Sequence, residues 1–242
     1  MNDYHFYPEG DSSVLIVFGD TVSTETNRRI SSAVREIREQ KIEGVTDMIP
    51  AFVSLLVNYD PLAVSYEAIC TRLEKILRSK AGITEAARRV FEIPVCYGGE
   101  FGPDLADIAS HAGLSEREVI ELHTSRDYLI YMLGFLPGFC YLGGLDERIH
   151  TPRLETPRVK IPSGSVGIGG AQTGIYPMES PGGWRLMGKT PVKTYDPDRE
   201  TPILMQAGEY IRFTEIDRAE FDRISRAVEK NEYRVTVRGG GA

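Results

Sequence analysis

The chain has 242 residues and a net charge of −7, a balance that gives no sequence-independent attraction to nucleic acid or to an anionic membrane surface. Its cysteines, Cys70, Cys96 and Cys140, stand far apart without a C-x-x-C pair, which excludes a disulfide framework or a zinc site written in spacing. The start, MNDYHFYPEGD, is polar and acidic rather than a signal peptide, so a cytoplasmic setting is expected.

In chain order, Tyr4 to Tyr7 and Val14 to Phe18 flank the turn-forming PEGDSS and predict a hairpin. Ile30, Ala33, Val34 and Ile37 recur at helical spacing between Thr24 and Lys41, with Gly44 just beyond the end. Val45 to Ile49 and Phe52 to Asn58 form a second strand pair broken at Pro50. After Pro61, the residues Leu62, Tyr66, Ile69, Leu73, Ile76 and Leu77 line one face of a second helix. The order ββαββα predicts a small two-layer α+β domain over 1–86, with both helices on one sheet face. A polar connection over 81–88 leads to a second domain, 87–242.

There Arg89 to Tyr97 reads as a strand and Asp104 to His111 as a short helix stopped near Gly113. Ser115 starts another helix, with Glu118 in capping-box position. Tyr128 to Leu145 lacks charge over nearly the length of a membrane span, but its glycines and Pro137 favour two buried strands around a turn. From there short strands dominate, as in a barrel or sandwich. A late helix, 217–230, and a closing strand, Tyr233 to Val237, complete the pattern.

The stretch Gly134 to Pro191 holds half of the glycines and half of the prolines. Such density means many individually specified turns, and the interleaved aromatic and β-branched residues need a core to enter, so this is no linker. Shaped loops on a rigid scaffold are where chemistry collects. Arg153 and Arg158 bracket LETP, each beside a proline, and guanidinium forks suit carboxylates and phosphates; two solvated turn arginines would look the same. Gln172, Tyr176 and Ser180 offer an amide, a phenol and a hydroxyl on stiff turns, either for a small polar ligand or for loop backbone. Phe135, Pro137, Phe139, Tyr141 and Trp184 suit a core or an apolar groove for substrate or partner. His123 ends a capped helix, where the dipole favours a protonated ring and capping alone accounts for it. His5, His111 and His150 lack partners at metal spacing, no metal is expected, and Cys140 reads as an inert core thiol. Gly183 to Thr190 satisfies the Walker A pattern, but Pro181-Gly182 before it and Pro191-Val-Lys-Thr-Tyr after it supply neither strand nor helix. It reads as a turn carrying buried Trp184 and solvated Lys189.

GFLPGFCYL, RLETPR, IPSGSV and QTGIYPMESPGGW occur in that order, preceded by GDSSVLIVFGD and IPAFVSLLVNYD. Together they resemble the signature of the family variously described as the B subunit of 5-oxoprolinase, KipI or allophanate hydrolase subunit 1. The resemblance implies a cyclophilin-like β-barrel for the second domain. It also implies a component of an ATP-dependent 5-oxoprolinase complex, formed with the A and KipA-like C subunits, that opens 5-oxo-L-proline to L-glutamate, with ATP required at the level of the complex. In that reading His123, Arg153, Arg158 and Gln172 hold the activated lactam and Tyr176 orients it. The alternatives it carries are a KipI-type inhibitor docking on a sensor histidine kinase, and a carboxyltransferase-like subunit of a urea amidolyase-type enzyme. Prolyl isomerase activity finds no Phe-His-Arg segment to support it.

Overall fold

A computed structural model describes residues 4–78 and 88–239, so the polar connection, apart from Arg88, lies outside the described residues. Contacts divide the chain into Met1–Ala86 and Ala87–Ala242.

The first unit runs β1 (His5–Pro8), β2 (Ser13–Val17), α1 (Thr24–Gln40), β3 (Val45–Pro50), β4 (Ser54–Tyr59) and α2 (Tyr66–Arg78). Its strands form an antiparallel sheet in the order β1-β2-β4-β3. Strand periodicity sends Val14 and Ile16 of β2, and Leu55 and Val57 of β4, to one face. There they meet Ile30, Ala33 and Ile37 of α1 and Ile69, Leu73 and Ile76 of α2 in one core. The Ser23 side chain caps α1 by accepting from the Thr26 N–H. The stop is not set by Gly44: Lys41 itself turns left-handed (φ 46°) and returns its N–H to the Arg38 carbonyl. Gly44 serves packing instead, since a Cβ there would lie 2.5 Å from Val64 Cγ1.

The second unit runs β5 (Val90–Tyr97), α3 (Leu105–Ala112), α4 (Glu116–Thr124), β6 (Asp127–Leu133), β7 (Cys140–Gly143), β8 (Arg158–Ile161), β9 (Ser165–Gly169), β10 (Gln172–Ile175), β11 (Ser180–Gly182), β12 (Arg185–Lys189), β13 (Tyr210–Glu215), α5 (Arg218–Glu229) and β14 (Val237–Arg238). Strands β12-β9-β10-β7-β6-β13-β5 pair in succession, and β12 then pairs with β5, so seven strands close a barrel. Closure falls at Gly188 opposite Tyr97 and Lys189 opposite Cys96. The β5–β13 pair is parallel. Such a barrel is consistent with the cyclophilin-like fold. β8 and β11 form a separate two-stranded ribbon.

The uncharged run folds as the β6–β7 hairpin, and no described helix is long and apolar enough to cross a membrane. Both halves of the Ser115/Glu118 capping box form. The closing strand is shorter than expected, with only Val237 and Arg238 paired to β5. The Glu232 and Tyr233 N–H groups are drawn back to the Ala227 carbonyl at the end of α5, which delays strand pairing.

Candidate functional site

Period-two alternation gives the barrel wall two different faces. Inward go Cys140 and Leu142 of β7, Val166 and Ile168 of β9, Ile175 of β10 and Met187 of β12, all in the main core. On the opposite face Phe139, Tyr141, Tyr176, Trp184 and Leu186 form a second cluster with Ile161 of the β8–β11 ribbon. The two middle strands carry glycine beneath it. A Cβ on Gly169 would lie 2.3 Å from the indole nitrogen of Trp184, and one on Gly174 3.0 Å from its six-membered ring. Glycine weakens a strand, and here the close approach of the indole is the reason for it. Trp184, 3% exposed, therefore lies flat on the wall, with Phe139 edge-on at 5.5 Å and Tyr176 edge-on at 6.2 Å.

The polar candidates gather around this indole. The Leu154 N–H donates to the Gly183 carbonyl (2.7 Å) and Arg185 Nε to the Pro152 carbonyl (3.1 Å), fastening the RLETPR loop to both sides of Trp184. The loop thereby holds the exposed Arg153 guanidinium 5.9 Å from the Trp184 ring centroid. Arg158 donates to Asp104 Oδ1 (2.6 Å). Gln172 pairs with Gly169 in the β9–β10 register, so its side chain leaves the sheet on the Trp184 face. Ser180 sits opposite Ile161 in the ribbon, facing the aromatic layer, and its Oγ is buried without a hydrogen-bond partner among the described residues. Burial raises the Tyr176 phenol above its ordinary value, although a hydrogen bond with the Trp184 backbone and then the charges of Arg153 and Arg158 pull it down.

His123 is elsewhere. The sequence expectation of a protonated helix cap gives way to a fully buried ring inside the barrel, stacked 4.4 Å from Phe213. Its Nδ1 lies 2.7 Å from the Tyr97 hydroxyl and its Nε2 2.8 Å from Thr173 Oγ1. Thr173 donates its one hydroxyl proton to the Gly167 carbonyl (3.0 Å), so Nε2 carries the imidazole proton and Nδ1 accepts from Tyr97. Burial pushes the ring down to about 3, leaving it neutral. It does not join the groups around Trp184.

Phe139, Tyr176 and Trp184 fill one another rather than lining an open groove, while Phe135 (70% exposed) and Pro137 stand at the rim. Their loop is held by a Gly134 N–H to Phe139 carbonyl bond of 2.7 Å. Cys140 is core, its thiol pushed up to about 12 by burial. Contrary to the sequence reading, strand β11 does precede the Walker-like octet, whose Arg185–Lys189 form strand β12 rather than a turn or a helix, and Lys189 is half-buried, 5.6 Å from the Phe101 ring centroid, rather than solvated. Among the described residues no group of three His, Cys, Asp or Glu is placed to hold a metal. The residue that sequence reasoning missed is Asp104. Only 5% exposed, it accepts from Arg158 through one oxygen and from the Leu186 N–H (2.6 Å) through the other. A carboxylate at the start of α3 looks like an ordinary cap from sequence, yet its side chain makes no cap bond.

The family match places this barrel, its flanking ribbon and the small sheet unit in a carboxyltransferase-type protein. The chain belongs to the family "carboxyltransferase domain, subdomain C and D", which matches residues 4–205. It is 44% identical over 228 residues to the B subunit of the Bacillus subtilis 5-oxoprolinase, covering 90% of this chain and 95% of that protein. The solved TTHA0988 structure is 39% identical with a TM-score of 0.76, covering 85% of this chain and 40% of that one, so this chain spans less than half of that protein. The Kluyveromyces lactis urea carboxylase, at 19% identity and a TM-score of 0.77 over 97% of this chain and 24% of that one, shares the fold.

Proposed function

We propose that this chain is the B subunit of an ATP-dependent 5-oxoprolinase, acting with the A and C subunits to open 5-oxo-L-proline to L-glutamate in the cytoplasm. What carries the reading is the 44% identity to the Bacillus subtilis protein over nearly the full length of both. The region assigned to it is the rim of the Trp184 layer, where the exposed Arg153 and the half-buried Gln172 stand beside the packed aromatic cluster and offer a guanidinium and an amide to a small cyclic acid. A lactam is a stable amide, so its opening requires activation, and ATP is assigned to the assembled complex. Within this chain the Walker-like octet is a barrel strand and offers no helix N-terminus to a phosphate. The isolated chain is therefore expected to be inactive.

The test is to mix the chain with the A and C subunits and follow glutamate release from 5-oxo-L-proline with and without ATP. Turnover requiring all three supports the assignment; turnover by this chain alone, or none by the mixture, defeats it. The exposed Phe135 and Pro137, on a loop closed by its own hydrogen bonds, favour a protein contact as well. That contact is assigned to the C subunit, and a sensor histidine kinase is the competing occupant. Phe135→Ala distinguishes them by which partner it releases.

A further inference from the structure

We propose that the outer face of the first unit's sheet docks an apolar surface with basic flanks on another subunit of the complex; the proposal rests on the reading above that this chain is one subunit of several. The face follows from strand alternation. Val14, Ile16, Leu55 and Val57 turn toward the helices, and Phe6 of β1 and Met48 of β3 pack against the same core. Their neighbours along each strand therefore turn the other way. Register sets Tyr7 beside Leu15, Leu15 beside Leu56 and Leu56 beside Ile49, so one apolar row crosses all four strands. Tyr7 is 50% and Ile49 48% exposed, and neither Leu15 nor Leu56 enters any of the apolar core clusters. The free face of an antiparallel sheet is ordinarily polar, so an unbroken apolar row across it marks a contact surface.

Charge says what covers it. The strands alternate in direction, so the end of β1, the start of β2, the end of β4 and the start of β3 share one margin, where Glu9, Asp11, Asp60 and Asp47 are exposed. Asp47 and Asp60 accept the nearby N–H groups of Met48 (2.7 Å) and Leu62 (2.9 Å), and none of the four has a cationic partner among the described residues. An acidic margin repels phosphate backbones and anionic lipid, and it favours lysine or arginine across a protein contact. A second copy of the chain fits less well. Two chains of net charge −7 repel, and a four-stranded face about 20 Å on each side presents roughly 400 Å2, half of the ~800 Å2 per partner of a standard interface. A partner of opposite charge adds at the margin the attraction that this area alone does not supply.

The full chain is mixed with the A and C subunits, and binding is followed by titration calorimetry at low and high salt. Wild type is expected to bind one of them with an affinity that falls as salt rises. Ile49→Asp, at an exposed position, weakens that binding about tenfold or more and keeps the salt dependence. Glu9→Lys combined with Asp47→Lys weakens it as well but flattens the salt dependence, a response that a merely structural defect does not give. Unfolding temperatures identify folded variants, and Tyr7→Ser on the opposite edge strand repeats the test if Ile49→Asp does not fold. Binding of neither subunit by wild type, unchanged binding in folded variants, or tighter binding in the lysine pair overturns the docking face. A chain that sediments alone as a dimer, dissolved by Ile49→Asp, gives the face to a second copy and overturns it too. Variants that bind and turn over like wild type remove the docking face alone, whereas wild-type subunits that bind through this face without turnover of 5-oxo-L-proline remove the 5-oxoprolinase reading alone.

Discussion

The inside and the outside of one barrel wall differ in how they treat polar groups. Within, His123 joins Tyr97 to Thr173, and Thr173 passes its proton to Gly167, so each donor meets an acceptor and nothing is left to bind. Outside, only one residue away along β10, lies a face where, among the described residues, the Arg153 guanidinium has no acidic partner, the Gln172 amide no side-chain hydrogen bond and the buried Ser180 hydroxyl no partner, around a sealed indole. A histidine is the commoner candidate for chemistry, yet the satisfied side is a fastening and the unsatisfied side is the candidate site.

The sharpest way to break this contrast is His123→Ala. Removing the ring opens a cavity against Phe213 and strands the Tyr97 hydroxyl, which by mutational precedent costs about 3–5 kcal/mol and leaves the chain poorly folded by circular dichroism. The same ring sets a pH dependence. It titrates at about 3 when folded, against an ordinary value of roughly 6.5, so the unfolded chain takes up the proton first as pH falls. The stability His123 contributes is complete above roughly pH 6.5 and declines progressively toward pH 3. Denaturant midpoints measured across that window check it. A His123→Gln variant that still folds should lose part of the slope; an unchanged slope assigns the dependence to other groups.

Next in size is Arg158→Met. It leaves the Asp104 carboxylate, only 7% exposed, without its ion pair but still bound to the Leu186 N–H. A broken buried pair is expected to destabilise by about 3–5 kcal/mol, and the partial exposure of Arg158 reduces this to about 2–3. Thermal unfolding reads it, and Asp104→Asn should lose a similar amount. If Arg158→Met unfolds like wild type, the brace is absent and both arginines belong to the exposed face.

Much of this architecture is written locally. Helices α1, α2, α4 and α5 announce themselves by apolar spacing and caps, and the β6–β7 hairpin by an uncharged run interrupted by glycines and Pro137. Closure is not legible, because the meeting of Gly188 with Tyr97 and the parallel β5–β13 pair depend on contacts between distant segments. The candidate site was half visible. The glycines of β9 and β10 were countable, but not that an indole lies on them; Arg158 was visible, but not its partner 54 residues away. His123 misled because a helix end is local, whereas the direction in which its last turn faces is tertiary.

Gly169→Ala sharpens the outer half of the comparison by a smaller amount. The added methyl would lie 2.3–2.6 Å from the indole, so Trp184 must lift from the wall. Overpacking of this kind costs about 1–3 kcal/mol. Trp184 emission should move to longer wavelength as the ring meets water, and 5-oxo-L-proline binding should weaken with it. An unshifted spectrum means that the wall yields instead, and that the glycine floor does not fix the site.

The smallest effect is expected at Lys189, the residue that the Walker-like pattern makes most tempting. It ends β12, where Gly188 and Lys189 pair with both β9 and β5, so the backbone that would have to cradle a phosphate is already spent on two strands. Its ammonium faces the Phe101 ring at 5.6 Å from a half-buried side chain, an interaction of about 0.5–2 kcal/mol. It belongs to neither the sealed lumen nor the Trp184 face. Lys189→Ala should therefore leave the unfolding temperature within a few degrees and ATP-dependent turnover by the assembled complex within about threefold, since no transition-state contact is being removed. A loss of turnover by orders of magnitude in a folded variant would put nucleotide contact on this strand, and the division between a substrate face here and ATP elsewhere in the complex would have to be abandoned.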